Sequence, residues 1–328
     1  MANLHAEGNG TVELASHVLR AEIWPDKGCD IVSLVDAESG IDVLFKAPWR
    51  PSPQPAAASG DSLTHWLASY AGGWQVLLPN GGAPCVENGV EWGFHGEAAV
   101  IPWWVDEAGR SRARFGVDLF RAPLSVEREI ELDGAFLHLA ETVTNTSPDP
   151  VEVMWSHHPA FGAPLLAGGA VLDVPATTVI ADDEAPGTML QAGATSAWPK
   201  AQAADGGDVD LSVVPGPDET RAHLAYLTGF TEGRYTISNA ELDLAVRVSW
   251  PLEVFPHAWF WQEIHSGAGY PWYRRAYVTA IEPCTTYPGQ GLAAARSKGG
   301  TPLRLAGGES RRVDIEVEVF RPSERSSQ

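Results

Sequence analysis

Apolar and polar residues alternate at period two along much of this chain. The runs Thr11-Val12-Glu13-Leu14, His17-Val18-Leu19-Arg20-Ala21-Glu22-Ile23, Leu124-Ser125-Val126-Glu127-Arg128-Glu129-Ile130-Glu131-Leu132 and Arg312-Val313-Asp314-Ile315-Glu316-Val317-Glu318-Val319 all carry it. Successive side chains on a strand point to opposite faces, so the pattern predicts half-buried strands. Turn signals fall between such runs at Asp133-Gly134, Asn145 to Pro150, Gly229 and Gly307-Gly308. Helical periodicity is scarce, and Leu63 to Tyr70 is the one short helix expected. Two segments of unusual composition, the proline- and alanine-rich Pro48 to Gly60 and the small, polar Gly187 to Gly207, are expected to cross the surface. No internal repeat and no dividing linker stands out. The expectation is one all-β domain over residues 1–328, a large antiparallel β-sandwich of two packed sheets.

Composition narrows the partners. A net charge of -20, from 42 acidic and 22 basic residues, opposes tracking along nucleic acid phosphates or docking on an anionic membrane. A small molecule is the expected partner. The three cysteines, Cys29, Cys85 and Cys284, are odd in number and widely spaced, which argues against a disulfide scaffold or a zinc ribbon. The first residues lack a basic head and an apolar h-region, and no window approaches the length of a membrane span, so a cytoplasmic location is expected.

The late stretch His257-Ala258-Trp259-Phe260-Trp261-Gln262 leads through Tyr277-Val278-Thr279-Ala280-Ile281 to Glu282-Pro283-Cys284-Thr285. A carboxylate in such surroundings loses solvation, and its pKa rises toward the range of a general base near neutral pH. Three other segments mix polar groups with glycine or aromatics: Gly72-Gly73-Trp74-Gln75 to Asn80, Gly93-Phe94-His95-Gly96, and Ser156-His157-His158-Pro159-Ala160-Phe161. The glycines flanking Phe94-His95 let backbone approach a ligand, though a turn bearing a solvated histidine fits the same residues. His157 and His158 are neighbours after the expected strand Val151 to Trp155, so at most one of them faces a given site. Pro159 is expected to end the ladder and leave His158 at a strand end on a rim.

The order of these segments on an all-β chain resembles the galactose mutarotase-like, or aldose 1-epimerase, family: a His-Gly segment, a His-Pro-x-Phe segment and a late Glu-Pro-x-Thr segment. The resemblance spans roughly Val12 to the final strand. It implies that Glu282 is the general base, His158 the general acid, and His95 the group that stabilises charge at the ring oxygen or at C1. It also implies a free-sugar substrate, α and β anomers exchanged by ring opening, and no cofactor or metal. Trp74, Trp259 and Trp261 are candidate stacking faces, and Gln75, Asn80 and Gln262 candidate partners for hydroxyls. The family's sugar-binding arginine has no clean counterpart, the corresponding stretch holding Gln75 or Asn80, and its sugar-binding aspartate is not evident between Val254 and Gln262.

Other readings fit some of these residues. Two histidines and a carboxylate can hold zinc or iron, but no H-x-H or H-E-x-x-H spacing exists here. A glycoside hydrolase needs two carboxylates, with Glu97 or Glu263 beside Glu282. A carbohydrate-binding protein of the same fold needs only the aromatic cleft. An anionic sugar, phosphorylated or sulfonated, would draw on Arg274 or Arg275.

Overall fold

The computed structural model describes residues 10–49, 51 and 61–325. Two large sheets dominate it, and every ladder in them is antiparallel. The larger runs Val12–Ala15, Leu19–Trp24, Asp30–Asp36, Trp74–Leu77, Ser156–Gly162, Tyr277–Cys284, His257–Ile264, Arg221–Thr228, Thr178–Ala181, Thr195–Ala197. The smaller runs Val171–Asp173, Arg234–Asn239, Leu244–Ser249, Ser310–Phe320, Phe136–Asn145, Leu124–Asp133, Arg112–Asp118, Trp104–Ala108. This is the expected sandwich, and all four alternating runs are strands in it. The expected helix is Ser62–Ser69, the longest among the described residues and far too short to cross a membrane. Most of Pro48 to Gly60 lies outside the described residues, whereas Gly187 to Gly207 is partly ordered into Thr195–Ala197 and Lys200–Gln202.

The smaller sheet keeps strict alternation, with Leu124, Val126, Ile130 and Leu132 inward on one strand and Leu137, Leu139 and Val143 inward on the next. Two charges break that inner face. Arg128 and Glu141 are directly opposed across the two strands and both are fully buried. Arg128 Nε donates to Glu141 Oε1 at 2.6 Å, and its Nη1 donates to the Cys29 carbonyl of the larger sheet at 2.7 Å. His157 closes the group from the larger sheet, with Nε2 3.3 Å from Glu141 Oε2 and Nδ1 accepting from Trp74 Nε1 at 3.2 Å. Burial opposes ionisation of Glu141, but the Arg128 charge and the neighbouring His157 outweigh it and hold the carboxyl down at about 2. This charged bolt joins the two layers immediately behind the residue next to His157.

The central strands of the larger sheet lose the alternation because both faces are covered. Ser156–Gly162 and Tyr277–Cys284 are buried at every position. Ser156–Gly162 is a central strand that runs through Pro159, which corrects the expected strand end. Proline has no N–H to give, yet Ala160 N donates to Gly73 O and Phe45 N donates to Ala160 O, so the ladder resumes one residue later. His158 therefore sits in the middle of the sheet.

Candidate active site

Strand register brings the candidates together. Gln75 pairs with His158; the pairings Ser156 to Cys284 and Ala160 to Ala280 set His158 against Glu282; Glu282 pairs with Trp259, and Trp259 with Tyr226. Paired residues of an antiparallel ladder share a face. Gln75, His158, Glu282, Trp259 and Tyr226 therefore form a row across five strands, on the face turned away from the smaller sheet.

At the centre of the row an imidazole meets a carboxyl. His158 Nε2 lies 3.6 Å from Glu282 Oε1, and both side chains are almost wholly buried. Burial alone pushes the Glu282 carboxyl well above the usual range, and burial together with the Lys27 charge pulls His158 down to about 4. Burial thus favours the neutral form of both groups, the protonated carboxyl and the unprotonated imidazole. A cation at His158 would have to be desolvated without a hydrogen bond to a counter-charge.

His95 comes from the loop expected to carry it. Its backbone is in the left-handed region, φ 59°, and Gly96 follows at φ 79° with its Cα so close to Leu78 that a Cβ would lie 2.3 Å from the Leu78 carbonyl oxygen. Gly82 N donates to His95 Nδ1 at 3.1 Å, which leaves the proton of the neutral ring on Nε2. Burial, with smaller contributions from His158 and Lys27, holds the His95 pKa well below its ordinary value, so the ring is a neutral donor. Its centroid is 5.6 Å from that of His158.

A roof covers this pair. Helix Ser62–Ser69 is N-capped by Asp61, whose Oδ1 accepts from Thr64 N at 2.7 Å, and Ser62 Oγ accepts from Phe94 N at 3.0 Å, tying the helix to the His95 loop. Eight residues make no stable helix alone, so packing holds it. Trp66 and Tyr70 stack on each other at 4.5 Å between centroids, and each ring lies 5.9 Å from His158. Trp261 approaches His158 to 5.6 Å from the far side.

The third charged group at the site was not singled out from the sequence. Lys27 and Asp30 are both fully buried, with Lys27 Nζ donating to Asp30 Oδ2 at 2.6 Å. Gln75 Nε2 donates to the same oxygen at 3.0 Å. Burial pushes Asp30 up, against the Lys27 charge and the hydrogen bonds from Lys27 and Gln75. In the sequence, Pro25-Asp26-Lys27-Gly28 reads as a solvated turn. It is buried because the turn docks on the segment after His95, with Gly28 N donating to Ile101 O at 2.9 Å. A Cβ at Gly28 would lie 2.5 Å from Ala99 O, and that tight glycine is the only local sign of the docking.

Other expected residues point elsewhere. Trp74 and Gln262 face the smaller sheet: Trp74 donates to His157, and Gln262 Nε2 to Thr279 Oγ1 at 3.2 Å. Asn80 braces loops, its Nδ2 donating to Ala83 O at 2.7 Å and its Oδ1 accepting from Leu292 N at 3.0 Å. Trp259 is in the row but roofed by backbone, since a Cβ at Gly81 or Gly289 would lie 2.9 or 3.2 Å from its ring. Arg275 is exposed, with Nη1 donating to Pro48 O at 3.1 Å. Glu97 and Glu263, the alternative second carboxylates, accept from loop amides of Arg121 and of Ser266 and Gly267 respectively. Among the described residues no three His, Cys, Asp or Glu side chains converge as metal ligands. A surface depression of about 440 Å³ lies on the outer face of the smaller sheet, lined by residues such as the half-buried Glu129 and His138 and the exposed Glu316. It is on the opposite side of the sandwich from the pair.

The fold is a galactose mutarotase-like β-sandwich. Solved structures superpose over nearly the whole chain at low identity. Slr1438 of Synechocystis sp. PCC 6803 matches at 16% identity and TM-score 0.69, over 98% of this chain and 100% of that one. A galactose mutarotase related enzyme from Lactobacillus acidophilus matches at 16% and 0.63, over 94% and 97%. A galactose mutarotase-like protein from Clostridium acetobutylicum matches at 16% and 0.65, over 94% of each. No curated protein matches the sequence. Residues 6–319 match one family model, and the chain belongs to that family, the domain of unknown function DUF4432.

Proposed function

We propose that this protein is a carbohydrate mutarotase that interconverts the α and β anomers of a free sugar by general acid-base ring opening. The observation that carries the reading is the buried His158–Glu282 pair, 3.6 Å apart, with burial favouring the neutral form of each group. Ring opening needs a proton removed from the anomeric hydroxyl as C1=O forms, and one delivered to the ring oxygen as its bond to C1 breaks. The pair can do both at once. Because burial favours the neutral form of each group, this reading takes Glu282 as the first donor and His158 as the first acceptor, the reverse of the roles implied by the resemblance. The imidazolium and the carboxylate then arise together, each stabilising the other. Rotation about C1–C2 presents the other face of the carbonyl, and reclosure returns both protons. His95 Nε2–H is the donor available to oxygen where charge develops.

The test is NMR anomer exchange on purified protein across neutral and anionic sugars. Glu282→Gln, which cannot exchange a proton, should lower the rate on the order of a hundred- to ten-thousand-fold with little change in sugar affinity. Exchange undiminished in that variant would remove the acid-base reading. Sugar binding without exchange by the wild type would leave a non-catalytic binding protein.

A further inference from the structure

Six buried polar atoms around the pair have no hydrogen-bond partner among the described residues: Asp30 Oδ1, Trp66 Nε1, Tyr70 OH, Gln75 Oε1, His158 Nδ1 and Glu282 Oε2. They belong to one neighbourhood. Asp30 is bonded to Gln75, Gln75 is the cross-strand neighbour of His158, and Trp66 and Tyr70 pack on His158. Buried polar atoms are nearly always satisfied, and each left unmet costs about 1–3 kcal/mol. Two of the six belong to the acid-base pair. The other four lie toward Lys27 and under the roof, and ring opening does not use them.

We propose that Lys27, Asp30 and Gln75, with Tyr70 and Trp66 above them, form a hydroxyl-reading subsite that selects a neutral polyhydroxylated ring over a phosphorylated or sulfonated one. The proposal rests on the mutarotase reading for where the anomeric carbon lies. Charge supports it first. Lys27 is the buried cation beside the pair, and Asp30 Oδ2 at 2.6 Å already compensates it. Arg274 and Arg275 are exposed, and each donates to a backbone carbonyl, of His265 and Pro48. Valence supports it next. Asp30 Oδ1 and Gln75 Oε1 accept, Trp66 Nε1 donates, and Tyr70 OH does either. A hydroxyl gives and takes, so it serves both kinds; a phosphate or sulfonate oxygen accepts and would be repelled by the Asp30 carboxylate. Reach supports it last. Gln75 is two strand spacings from Glu282 along the row, roughly 10 Å, which suits one sugar ring with a hydrogen bond of about 2.8 Å at each end. The hydroxyls read are therefore those remote from C1.

The experiment is a deoxy walk by NMR anomer exchange, with glucose, galactose, their monodeoxy analogues and their 6-phosphates, on wild type and on Gln75→Leu. In the wild type, removing one hydroxyl remote from C1 should cut kcat/KM about tenfold to a hundredfold. In Gln75→Leu the parent sugar should lose a similar factor, and the same deoxy analogue should lose little more. The 6-phosphates should be at least tenfold poorer than their parents. Equal rates for all remote deoxy analogues, or phosphates exchanged as fast as their parents, would overturn the subsite while leaving the mutarotase reading intact. Should nothing exchange, calorimetric titration of the same sugars on the wild type decides. The deoxy pattern in affinity would uphold the subsite without catalysis; no binding would overturn both. The wild-type arm does not depend on Gln75→Leu folding.

Discussion

Glu141→Gln tests whether the charged bolt between the layers is as dry as the structure makes it. The substitution keeps the shape and removes the charge that faces Arg128, leaving a fully buried guanidinium with neutral acceptors, the glutamine amide oxygen and the Cys29 carbonyl, and no carboxylate. Holding Glu141 at about 2 rather than its ordinary 4.5 corresponds to roughly 3 kcal/mol in favour of the ionised form. Breaking a buried pair by removing one partner generally costs about 3–5 kcal/mol, so the two routes agree. Because the folded pKa is depressed, the contribution is fully present above pH 4.5 and is lost as pH falls toward 2. Urea denaturation followed by tryptophan fluorescence should therefore find Glu141→Gln destabilised by about 3 kcal/mol at pH 7, with the gap to wild type narrowing below pH 4.5. Replacing both partners, Glu141→Leu with Arg128→Met, should recover much of the loss, less about 1 kcal/mol for the Cys29 carbonyl left unbonded. A single variant within 1 kcal/mol of wild type, or a double variant no better than the single, would refute a desolvated pair.

Gly82→Ala should lower the melting temperature clearly and reduce exchange activity, since φ is +70° and a Cβ would lie 1.7 Å from Gly289 O beside the amide that fixes His95. His223 is buried with neither ring nitrogen hydrogen-bonded among the described residues, so His223→Leu should be neutral or stabilising by up to about 2 kcal/mol in urea titration; a clear loss of stability would refute this. Burial holds His158 and His223 near 4, with the Lys27 and Arg221 charges respectively adding to it. Their folded pKa values lie below the unfolded one, so stability present above pH 6.5 is lost as pH falls toward 4, by up to roughly 3 kcal/mol per histidine. A pH series of melting curves on wild type, His158→Gln and His223→Leu should find that slope reduced in each variant.

Where one face of a sheet meets core and the other meets water, as in Leu124–Asp133 and Ser310–Phe320, the sequence carries a period of two and the strands were legible from it. Where both faces are covered, as in Ser156–Gly162 and Tyr277–Cys284, the period vanishes and only the order of His158 and Glu282 marked the place. The opposite facing of His157 and His158 followed from strand geometry and holds: one binds the bolt, the other the pair. For Trp74 and Gln262 residue type suggests sugar contact, while register turns them toward the smaller sheet; Asn80 lies in a loop that it braces. Lys27 was missed because a Pro-Asp-Lys-Gly turn normally faces water, and only a distant segment, near Ala99 and Ile101, buries it. Trp66 and Tyr70 carried no signal beyond a short helix.

The row from Gln75 to Tyr226 runs at right angles to the strands, so it exists only if four separate ladders are all in phase. A slip of one residue in any of them would turn its side chain to the opposite face. Secondary structure content would scarcely change. Circular dichroism would therefore pass a misaligned sheet as native, while anomer exchange would be silent. Its contributors are also far apart in the sequence, and non-local pairings form slowly. Recovery of exchange after refolding should thus lag behind recovery of strand signal, making the reaction itself a proofreading gauge for how this sheet is threaded.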